Sequence, residues 1–184
     1  MIPIFETSRL LLKPLRLEDA PTTQTLFPHW EIVRYLSDRV PWPYPEGGAE
    51  TFYREVALPN IADGTFWSWT LWLKGGPDHH IGAVDLRTEK KDNRGFWLGL
   101  PWQGKGLMTE ACVPVTDYWF DVLGQDRLVV AKALENVTSR RVTEKQGARI
   151  IDVEERRFVC GPRRTEIWEL TREDWNARRS KSSD

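Results

Sequence analysis

Hydrophobic and polar positions alternate along the chain in segments that predict a mixture of strands and helices. SRLLLKPL (8–15) is typical of an opening strand. LEDAPTTQTLF (17–27) is typical of a helix, because acidic residues lie near its positive end and Pro21 is tolerated in the first turn. A second helical stretch covers roughly 49–58. Between them, the prolines and glycines of SDRVPWPYPEGG (37–48) exclude regular structure.

The middle of the chain predicts an antiparallel meander that runs into a glycine-rich turn and a helix. FWSWTLWLK (66–74), HIGAVDLR (80–87) and RGFWLGL (94–100) are strand-like, and the segments between them have hairpin composition. The tryptophans in these strands, Trp67, Trp69 and Trp97, are expected in the core. Helical apolar spacing follows from Gly104 or Lys105 to about Val122, and Pro114 is expected to bend that helix.

The last third predicts a strand, a short helix and a closing hairpin. RLVVAKAL (127–134) is nearly continuous in apolar residues, as a strand covered on both faces would be. Asn136 and Gly147 are the expected ends of the helix in NVTSRRVTEKQG (136–147), and the hairpin turns around Gly161 and Pro162. The predicted fold class is α+β, with a mixed, mostly antiparallel central sheet flanked by helices. It forms one domain over 1–175, followed by a polar, flexible tail over 176–184.

Length, charge and cysteine spacing limit the classes of function that the protein can have. With 184 residues, of which 40% are hydrophobic, the chain is long enough for one sizeable core. Its 26 Lys and Arg against 27 Asp and Glu give no positive field for nucleic acid or a membrane surface, so neither is expected as a partner. The N-terminus lacks a secretory pattern, so a cytoplasmic protein is expected. Cys112, Cys160 and the adjacent His79 and His80 have no metal-ligand spacing, and no metal is expected.

GLPWQGKGLMTEA (99–111) carries the strongest chemical signal. A strand that ends in glycine-rich backbone and enters a helix directs several amide N–H groups and the positive helix end at one point, which is an anion site. A nucleotide-binding P-loop requires Ser or Thr after Lys105, where this chain has Gly106, and a metal-binding Asp that the next strand lacks. QGKGLM fits better the pattern Gln/Arg-x-x-Gly-x-Gly/Ala of loops that hold the pyrophosphate of coenzyme A, although Met108 stands at the small-residue position.

Four segments in order resemble the GNAT acetyltransferases, specifically the branch of ribosomal-protein N-terminal acetyltransferases (RimJ/RimL-like). They are TSRLLLKPLRLEDA, GFWLGLPWQGKGLMTEA, ENVTSRRVTEKQGA and GPRRTEIWELTREDW. The resemblance implies an N-acetyltransferase that moves an acetyl group from acetyl-CoA to an amine within a ternary complex. It also implies that backbone around the glycine motif and the preceding strand end binds the cofactor, and that the later helix faces the pantetheine arm and sulfur. The implied cofactor-binding residues are Leu98, Gly99, Leu100, Gln103, Gly104, Lys105, Gly106, Leu107, Met108, Thr109, Asn136 and Ser139.

Two catalytic groups familiar in the family are absent from the matching positions. Thr143 stands where many members have a Tyr that protonates the departing thiolate, so Ser139 is the candidate acid. Asn93 and Arg94 stand where many have a carboxylate, so Asp85 on the neighbouring strand is the candidate base. An ion pair of Asp85 with Arg87 or Arg94 is an equally good interpretation of that carboxylate. A backbone N–H near Leu98 is expected to stabilise the oxyanion.

The acceptor is expected to be a primary amine, with a protein N-terminal α-amine favoured. At neutral pH roughly a tenth of such amines are unprotonated, against roughly one in a few thousand lysines, so a weak base suffices. Trp30, Trp42 and Tyr44, in or beside the proline-stiffened loop, are the predicted acceptor-binding residues. A small-molecule amine such as a polyamine, amino acid or antibiotic, and a CoA-binding domain without turnover, remain open. The sequence does not fix the oligomeric state.

Overall fold

The computed structural model describes residues 2–181, whose strands form two antiparallel sheets. The strands are β1 (Phe5–Glu6), β2 (Leu10–Pro14), β3 (Phe66–Leu73), β4 (Gly82–Arg87), β5 (Arg94–Leu98), β6 (Arg127–Ala133), β7 (Arg149–Phe158) and β8 (Gly161–Thr171). The first sheet has the order β1-β2-β3-β4-β5, and the second has the order β6-β8-β7. The predicted meander and closing hairpin are both confirmed.

Most of the helices lie in segments predicted to be helical, with some differences in length, but those at 30–33 and 172–181 are not predicted. They are α1 (Ala20–Leu26), α2 (Trp30–Val33), α3 (Gly48–Phe52), α4 (Leu58–Ala62), α5 (Leu107–Asp117), α6 (Val137–Lys145) and α7 (Arg172–Lys181). A π-helical segment, Tyr53–Ala57, joins α3 to α4, and another, Tyr118–Val122, extends α5. The second predicted helix is therefore longer than expected. Pro114 lies inside α5 without ending it.

The main core lies between the first sheet and α5, with β6 and β8 completing it. Trp69 is fully buried there, and its indole N–H donates to the carbonyl of Pro3 at 2.8 Å. Trp67 packs against the same core, whereas Trp97 packs against a smaller cluster formed by Phe27 and residues of α2. The core position expected from the strands is thus confirmed for Trp69, whereas Trp67 and Trp97 are only partly buried beside their clusters.

The single mixed sheet expected from the sequence is replaced by two sheets that separate between β5 and β6. Asn93 joins them at one point: its N–H donates to the carbonyl of Val129, and its side-chain Oδ1 accepts from the Val129 N–H, both at 2.7 Å. Beyond this junction, no backbone hydrogen bond joins β5 to β6 within residues 2–181. At this junction the side chain of Asn93, not a backbone carbonyl, accepts from Val129. The ladder of backbone hydrogen bonds therefore does not continue between β5 and β6, and their facing edges stay unpaired within residues 2–181. The result is a wedge-shaped cleft.

The C-terminal segment differs from the flexible tail predicted for 176–184. Residues through Lys181 belong to α7, which packs on the core through the buried Trp175. The Trp175 indole N–H donates to Asp117 at 2.8 Å, and Arg179 forms ion pairs with Asp117 and Asp121. The structure thus has a helix over 176–181 where a flexible tail is expected, because the polar composition concealed the Trp175 anchor and these ion pairs. Residues 182–184 lie outside the described part of the chain.

Candidate active site

The glycine-rich segment forms a cradle of backbone amides at the start of α5. Gly104 and Gly106 adopt left-handed conformations, with φ of +74° and +75°, which glycine adopts without strain. In the part of the chain that the structure describes, the amide N–H groups of residues 104–109 find no acceptor. A Cβ built on Gly104 would meet no atom within 4 Å, so the cradle opens to solvent. This arrangement fits a pyrophosphate.

Glu110 anchors the cradle to the first sheet. Its carboxylate accepts hydrogen bonds from the Thr7 hydroxyl at 2.6 Å and from the Arg9 backbone N–H and Nε at 2.8 and 2.7 Å. Arg9 Nη1 also donates to the carbonyl of Lys105 at 3.0 Å, which fixes the turn itself. Although partial burial alone would raise the pKa of Glu110, the hydrogen bonds from Thr7 and Arg9 lower it. No local pattern in the sequence identifies Arg9 as a neighbour of this motif.

The side chains of Met108 and Gln103 are engaged away from the cradle. Met108 is only 7% exposed and belongs to the main core, so its bulk does not obstruct the turn. Gln103 donates from Nε2 to the carbonyl of Leu98 at 2.8 Å, which secures the turn to the end of β5. A Cβ on Gly99 would lie 2.7 Å from the Trp102 ring, so only glycine permits that packing. The cradle is therefore defined by backbone, with side chains supporting it from behind.

The β5 edge facing the cleft is where the second contact with the cofactor is predicted. Gly99 N–H donates to the carbonyl of Ile81 at 2.8 Å, so it is already used within the first sheet. The alternation of an antiparallel ladder then directs the N–H groups of Phe96 and Leu98 away from β4, toward the cleft. Of the predicted edge residues, Leu98 thus offers a free N–H, and Gly99 does not.

The start of α6 lies on the opposite wall of the cleft. The Asn136 side chain caps the helix by accepting from the Ser139 N–H at 3.3 Å, as predicted from the sequence. Ser139 is 8% exposed, and its hydroxyl forms no hydrogen bond within residues 2–181. The Thr143 hydroxyl donates to the carbonyl of Ser139 at 3.3 Å. Ser139 therefore retains a free polar atom, whereas Thr143 does not.

These walls enclose one cavity of about 1450 Å³ that continues from the cradle to the helices α1–α4. Most of the predicted site residues line it, including both candidate catalytic residues. Those that line it are Tyr44, Asp85, Leu98, Leu100, Gln103, Gly104, Gly106, Leu107, Met108, Thr109, Asn136 and Ser139. Gly99, Lys105, Trp30 and Trp42 are not among the lining residues.

Asp85 lies on β4, directly opposite Gly95 of β5. In the described part of the chain, its buried Oδ1 has no hydrogen-bond partner, and Arg87 Nη2 lies 3.7 Å away. A Cβ on Gly95 would lie 2.7 Å from Asp85 Oδ2, so the glycine leaves room for the carboxylate. Burial raises the pKa of Asp85, and Arg87 opposes that shift. Both interpretations of this residue thus have support, since it is paired with Arg87 and still faces the cavity.

The predicted acceptor residues separate into two groups. Trp30 and Trp42 contact each other, with ring centroids 5.5 Å apart, and are 39% and 42% exposed. Tyr44 packs edge-on against Phe27 at 5.1 Å, and burial raises its pKa to about 12. Tyr44 is therefore a wall of the cavity, while the tryptophan pair lies on the outer surface.

A buried polar chain on the acceptor side was missed by the sequence analysis. The Tyr53 hydroxyl lies 2.7 Å from the Thr23 hydroxyl, which lies 2.9 Å from Nε2 of His80. His80 is 1% exposed, and burial lowers its pKa to about 4, with a smaller effect from His79. His80 is thus a neutral structural residue in the core. No group of three or more potential metal ligands occurs within residues 2–181.

Comparison with known proteins identifies the family. Residues 9–149, well over half of the chain, match the family model of the acetyltransferase (GNAT) domain, so the chain belongs to this family. The acetyl donor is acetyl-CoA, as predicted.

Three individual proteins illustrate how far the similarity extends. YdaF of Bacillus subtilis (strain 168), provisionally named a ribosomal N-acetyltransferase, is 33% identical over 69 residues, which is 38% of this chain and 36% of YdaF. The match thus spans about a third of this curated relative. The ribosomal-protein-S5-alanine acetyltransferase of Vibrio fischeri superposes with a TM-score of 0.79 and 16% identity over 94% of this chain and 98% of that one. The spermidine N-acetyltransferase of Vibrio cholerae, solved with CoA and spermine, superposes with a TM-score of 0.75 and 19% identity over 92% of this chain and 99% of that one.

These structural matches confirm the predicted fold. No helix within residues 2–181 is long and apolar enough to cross a membrane.

Proposed function

We propose that the protein transfers the acetyl group of acetyl-CoA to a primary amine, and that a protein N-terminal α-amine is the leading acceptor. One observation carries the proposal: the unpartnered amides of residues 104–109 open into a cavity that also exposes Asp85 and Ser139. An anion cradle, a free strand edge and two polar catalytic candidates are thereby connected in one space. The resemblance of four sequence segments to the RimJ/RimL-like branch supports an N-terminal acceptor.

The donor would be held mainly by backbone. The amides of the cradle would bind the pyrophosphate, supported by the positive end of α5. Arg9 lies near the turn, with Nη2 3.6 Å from the Cβ position of Gly106, and adds a positive charge there. The free N–H of Leu98 would bind the pantetheine arm or the carbonyl of the thioester. Asn136 and Ser139 would contact the arm from the opposite wall.

The transfer requires a base for the attacking amine and an acid for the leaving sulfur. Asp85 would accept a proton from the amine nitrogen, since its raised pKa brings the carboxyl nearer to the operating pH. Ser139 is the hydroxyl candidate on the sulfur side. The acetyl carbon forms its bond to nitrogen, the carbon–sulfur bond breaks, and one proton is passed to the thiolate.

The charges of the cavity disfavour a polycationic acceptor. Nine Lys and Arg residues line it, against six Asp and Glu residues. Repulsion would weaken the binding of a polyamine, while a single α-amine, partly neutral at pH 7, would be tolerated. This supports an N-terminal peptide over spermidine, although a neutral or acidic small-molecule amine fits the same charges.

An acceptor screen tests the proposal. The purified protein and acetyl-CoA are mixed with one of three acceptor sets, and the release of free CoA is measured. The sets are peptides that begin with Ala, Ser or Met, the same peptides with a blocked N-terminus, and spermidine or free amino acids. The proposal expects release with open N-termini and none with blocked ones. Turnover only with small amines would show that the acceptor is a small-molecule amine and not a protein N-terminus. Acetyl-CoA binding with no release from any amine would establish a non-catalytic CoA-binding domain.

A further inference from the structure

Lys132 projects from β6 into the gap that separates it from β5. The residue is only 8% exposed, and its Nζ lies 4.8 Å from the centre of the Phe96 ring on β5. Within residues 2–181, the Nζ forms no hydrogen bond, and no carboxylate lies within 4.0 Å of it. A contact with an aromatic ring compensates only partly for the lost hydration of an ammonium group. The cleft therefore holds a buried cation with no carboxylate in direct contact, although the charge of Asp92 acts on it from farther away.

Arg94 adds a second cation to the same place. It is 1% exposed, and its Nη1 donates to the Thr116 hydroxyl at 3.0 Å. Among residues 2–181, its buried Nε and Nη2 have no hydrogen-bond partner. Burial lowers the pKa of Lys132, and the charge of Arg94 lowers it further, whereas that of Asp92 raises it. Both residues line the cavity.

The neighbouring carboxylates Asp92 and Asp85, which interact with the ammonium group by charge, compensate this pair only in part. Asp92 is shared with Arg87, through an ion pair of 3.5 Å, and with the Ala131 N–H at 3.4 Å. Cys112 faces both cations, but burial raises the pKa of its thiol, so it remains neutral. The closed end of the cleft thus has donors and positive charge in excess, and its chemistry calls for an anion.

We infer that Lys132, with Arg94 beside it, receives the thiolate of CoA when the acetyl group leaves, and that Lys132 donates the proton that makes it a thiol. The inference rests on the proposed function. A pantetheine arm that follows the β5 edge inward from Leu98 reaches Phe96 next, where the Lys132 ammonium lies. The anion formed at that point by the reaction is the thiolate.

The proton balance is simple. As the carbon–sulfur bond breaks, its electron pair stays on sulfur, and the Lys132 ammonium transfers one proton to it. The neutral Lys132 amine then recovers a proton from solvent, while the proton lost by the acceptor nitrogen leaves through Asp85. The sum is amine plus acetyl-CoA giving amide plus CoA thiol, with no other reactant.

Lys132 is better suited to this step than either hydroxyl of α6. Burial lowers its pKa to about 8, with Arg94 contributing and Asp92 opposing, so it is an acid near the operating pH. An alcohol such as Ser139 is a far weaker acid than an ammonium group, and the Thr143 hydroxyl is bonded to the Ser139 carbonyl. In this view Lys132 replaces the missing Tyr, and Ser139 has a binding role.

The pKa of the CoA thiol, measured in the complex, tests the inference directly. Free CoA is bound to the wild type, Lys132→Met, Lys132→Arg and Lys145→Met, and the ultraviolet absorbance of the thiolate is followed with pH after subtraction of the free protein. Lys145 also lines the cavity but is solvent-exposed, so its variant is the matched control. We expect the thiol pKa to rise by about one unit or more in Lys132→Met, which is about a tenfold loss of thiolate. Lys132→Arg and Lys145→Met should titrate like the wild type.

The other outcomes are equally decisive. An unchanged thiol pKa in Lys132→Met would overturn the inference while leaving the proposed function intact. Failure of the wild type to bind CoA in calorimetry would instead refute the proposed function. Succinyl-CoA binding at least about tenfold tighter than acetyl-CoA, with the difference lost in Lys132→Met, would assign the cations to a carboxylate on the acyl group and overturn the thiolate role.

Discussion

The two ends of the cleft are built on different principles. At the cradle, specificity comes from backbone: two left-handed glycines and the first turn of α5 present amides, while side chains such as Met108 and Gln103 turn away. At the inner end, the chemistry comes from charged side chains of separate strands, Asp85 and Lys132 among them. Cofactor binding at the cradle should therefore tolerate side-chain substitutions but be weakened by substitutions that disfavour the φ of its glycines. The inner end should behave in the opposite way.

The largest expected effect is at the inner end. Asp85→Asn should lower kcat/KM for the acceptor by about 100-fold, because a positioned base is lost, with the acetyl-CoA Kd unchanged. Asp78→Asn, in the exposed loop before β4, is the matched control and should behave as the wild type. Steady-state kinetics and calorimetry measure the two quantities. Normal turnover in Asp85→Asn would show that this carboxylate serves only to pair with Arg87.

The second effect concerns the buried polar chain beside the acceptor space. Because the folded pKa of His80, about 4, lies below its ordinary value of 6.5, its stabilising preference for the neutral form is complete above that value and is lost as pH falls toward 4. Between about pH 7 and about pH 5, this group should lower the free energy of unfolding by about 2 kcal/mol.

Urea denaturation at the two pH values measures this loss. His80→Gln should show a correspondingly smaller dependence on pH, and His29→Gln, at an exposed position, should retain it. If His80→Gln lost as much stability on acidification as the wild type, the buried neutral state of His80 would be refuted.

The third effect is at the cradle. Gly106→Ala should raise the acetyl-CoA Kd by about tenfold, since a side chain disfavours the left-handed turn that directs the amides. Gly124→Ala is a close control, because Gly124 also has a positive φ, of +67°, and its Cβ would meet no atom within 4 Å. Both variants should lose similar folding stability. Equal loss of affinity in both would indicate that strain, not the cradle, determines binding.

The smallest effect is expected at the surface tryptophans. Since Trp42 contacts Trp30 and does not line the cavity, Trp42→Ala should raise the acceptor KM by at most about fivefold, the size of a peripheral contact. Acetyl-CoA affinity should stay nearly intact. A larger rise in KM, measured with a peptide acceptor, would place the tryptophan pair in the acceptor path.

The sequence predicts the cradle well because its signals are local. Glycines at the turn, the apolar spacing of α5 and the Asn136 cap are all readable within a few residues. The strand meander follows equally from local patterns. What the sequence could not show depends on contacts between distant residues, such as Asn93 with Val129, 36 positions apart, and Arg9 with Glu110, 101 apart.

Lys132 had a signal that sequence reasoning passed over. It lies inside RLVVAKAL, a strand expected to be covered on both faces. Burying an unpaired cation in such a strand is energetically unfavourable. The composition marked the residue as unusual, yet only the splaying of β5 and β6 reveals that it faces a cleft. A charge within a predicted buried strand is thus a useful indicator of a site.

Calorimetric titration of the wild type with acetyl-CoA and, separately, with ATP and magnesium tests the central claim most directly. The account predicts saturable binding of acetyl-CoA at one site without magnesium, and no comparable binding of ATP. Tight binding of ATP with magnesium, together with no binding of acetyl-CoA, would contradict it, because the cradle would then hold a nucleotide triphosphate.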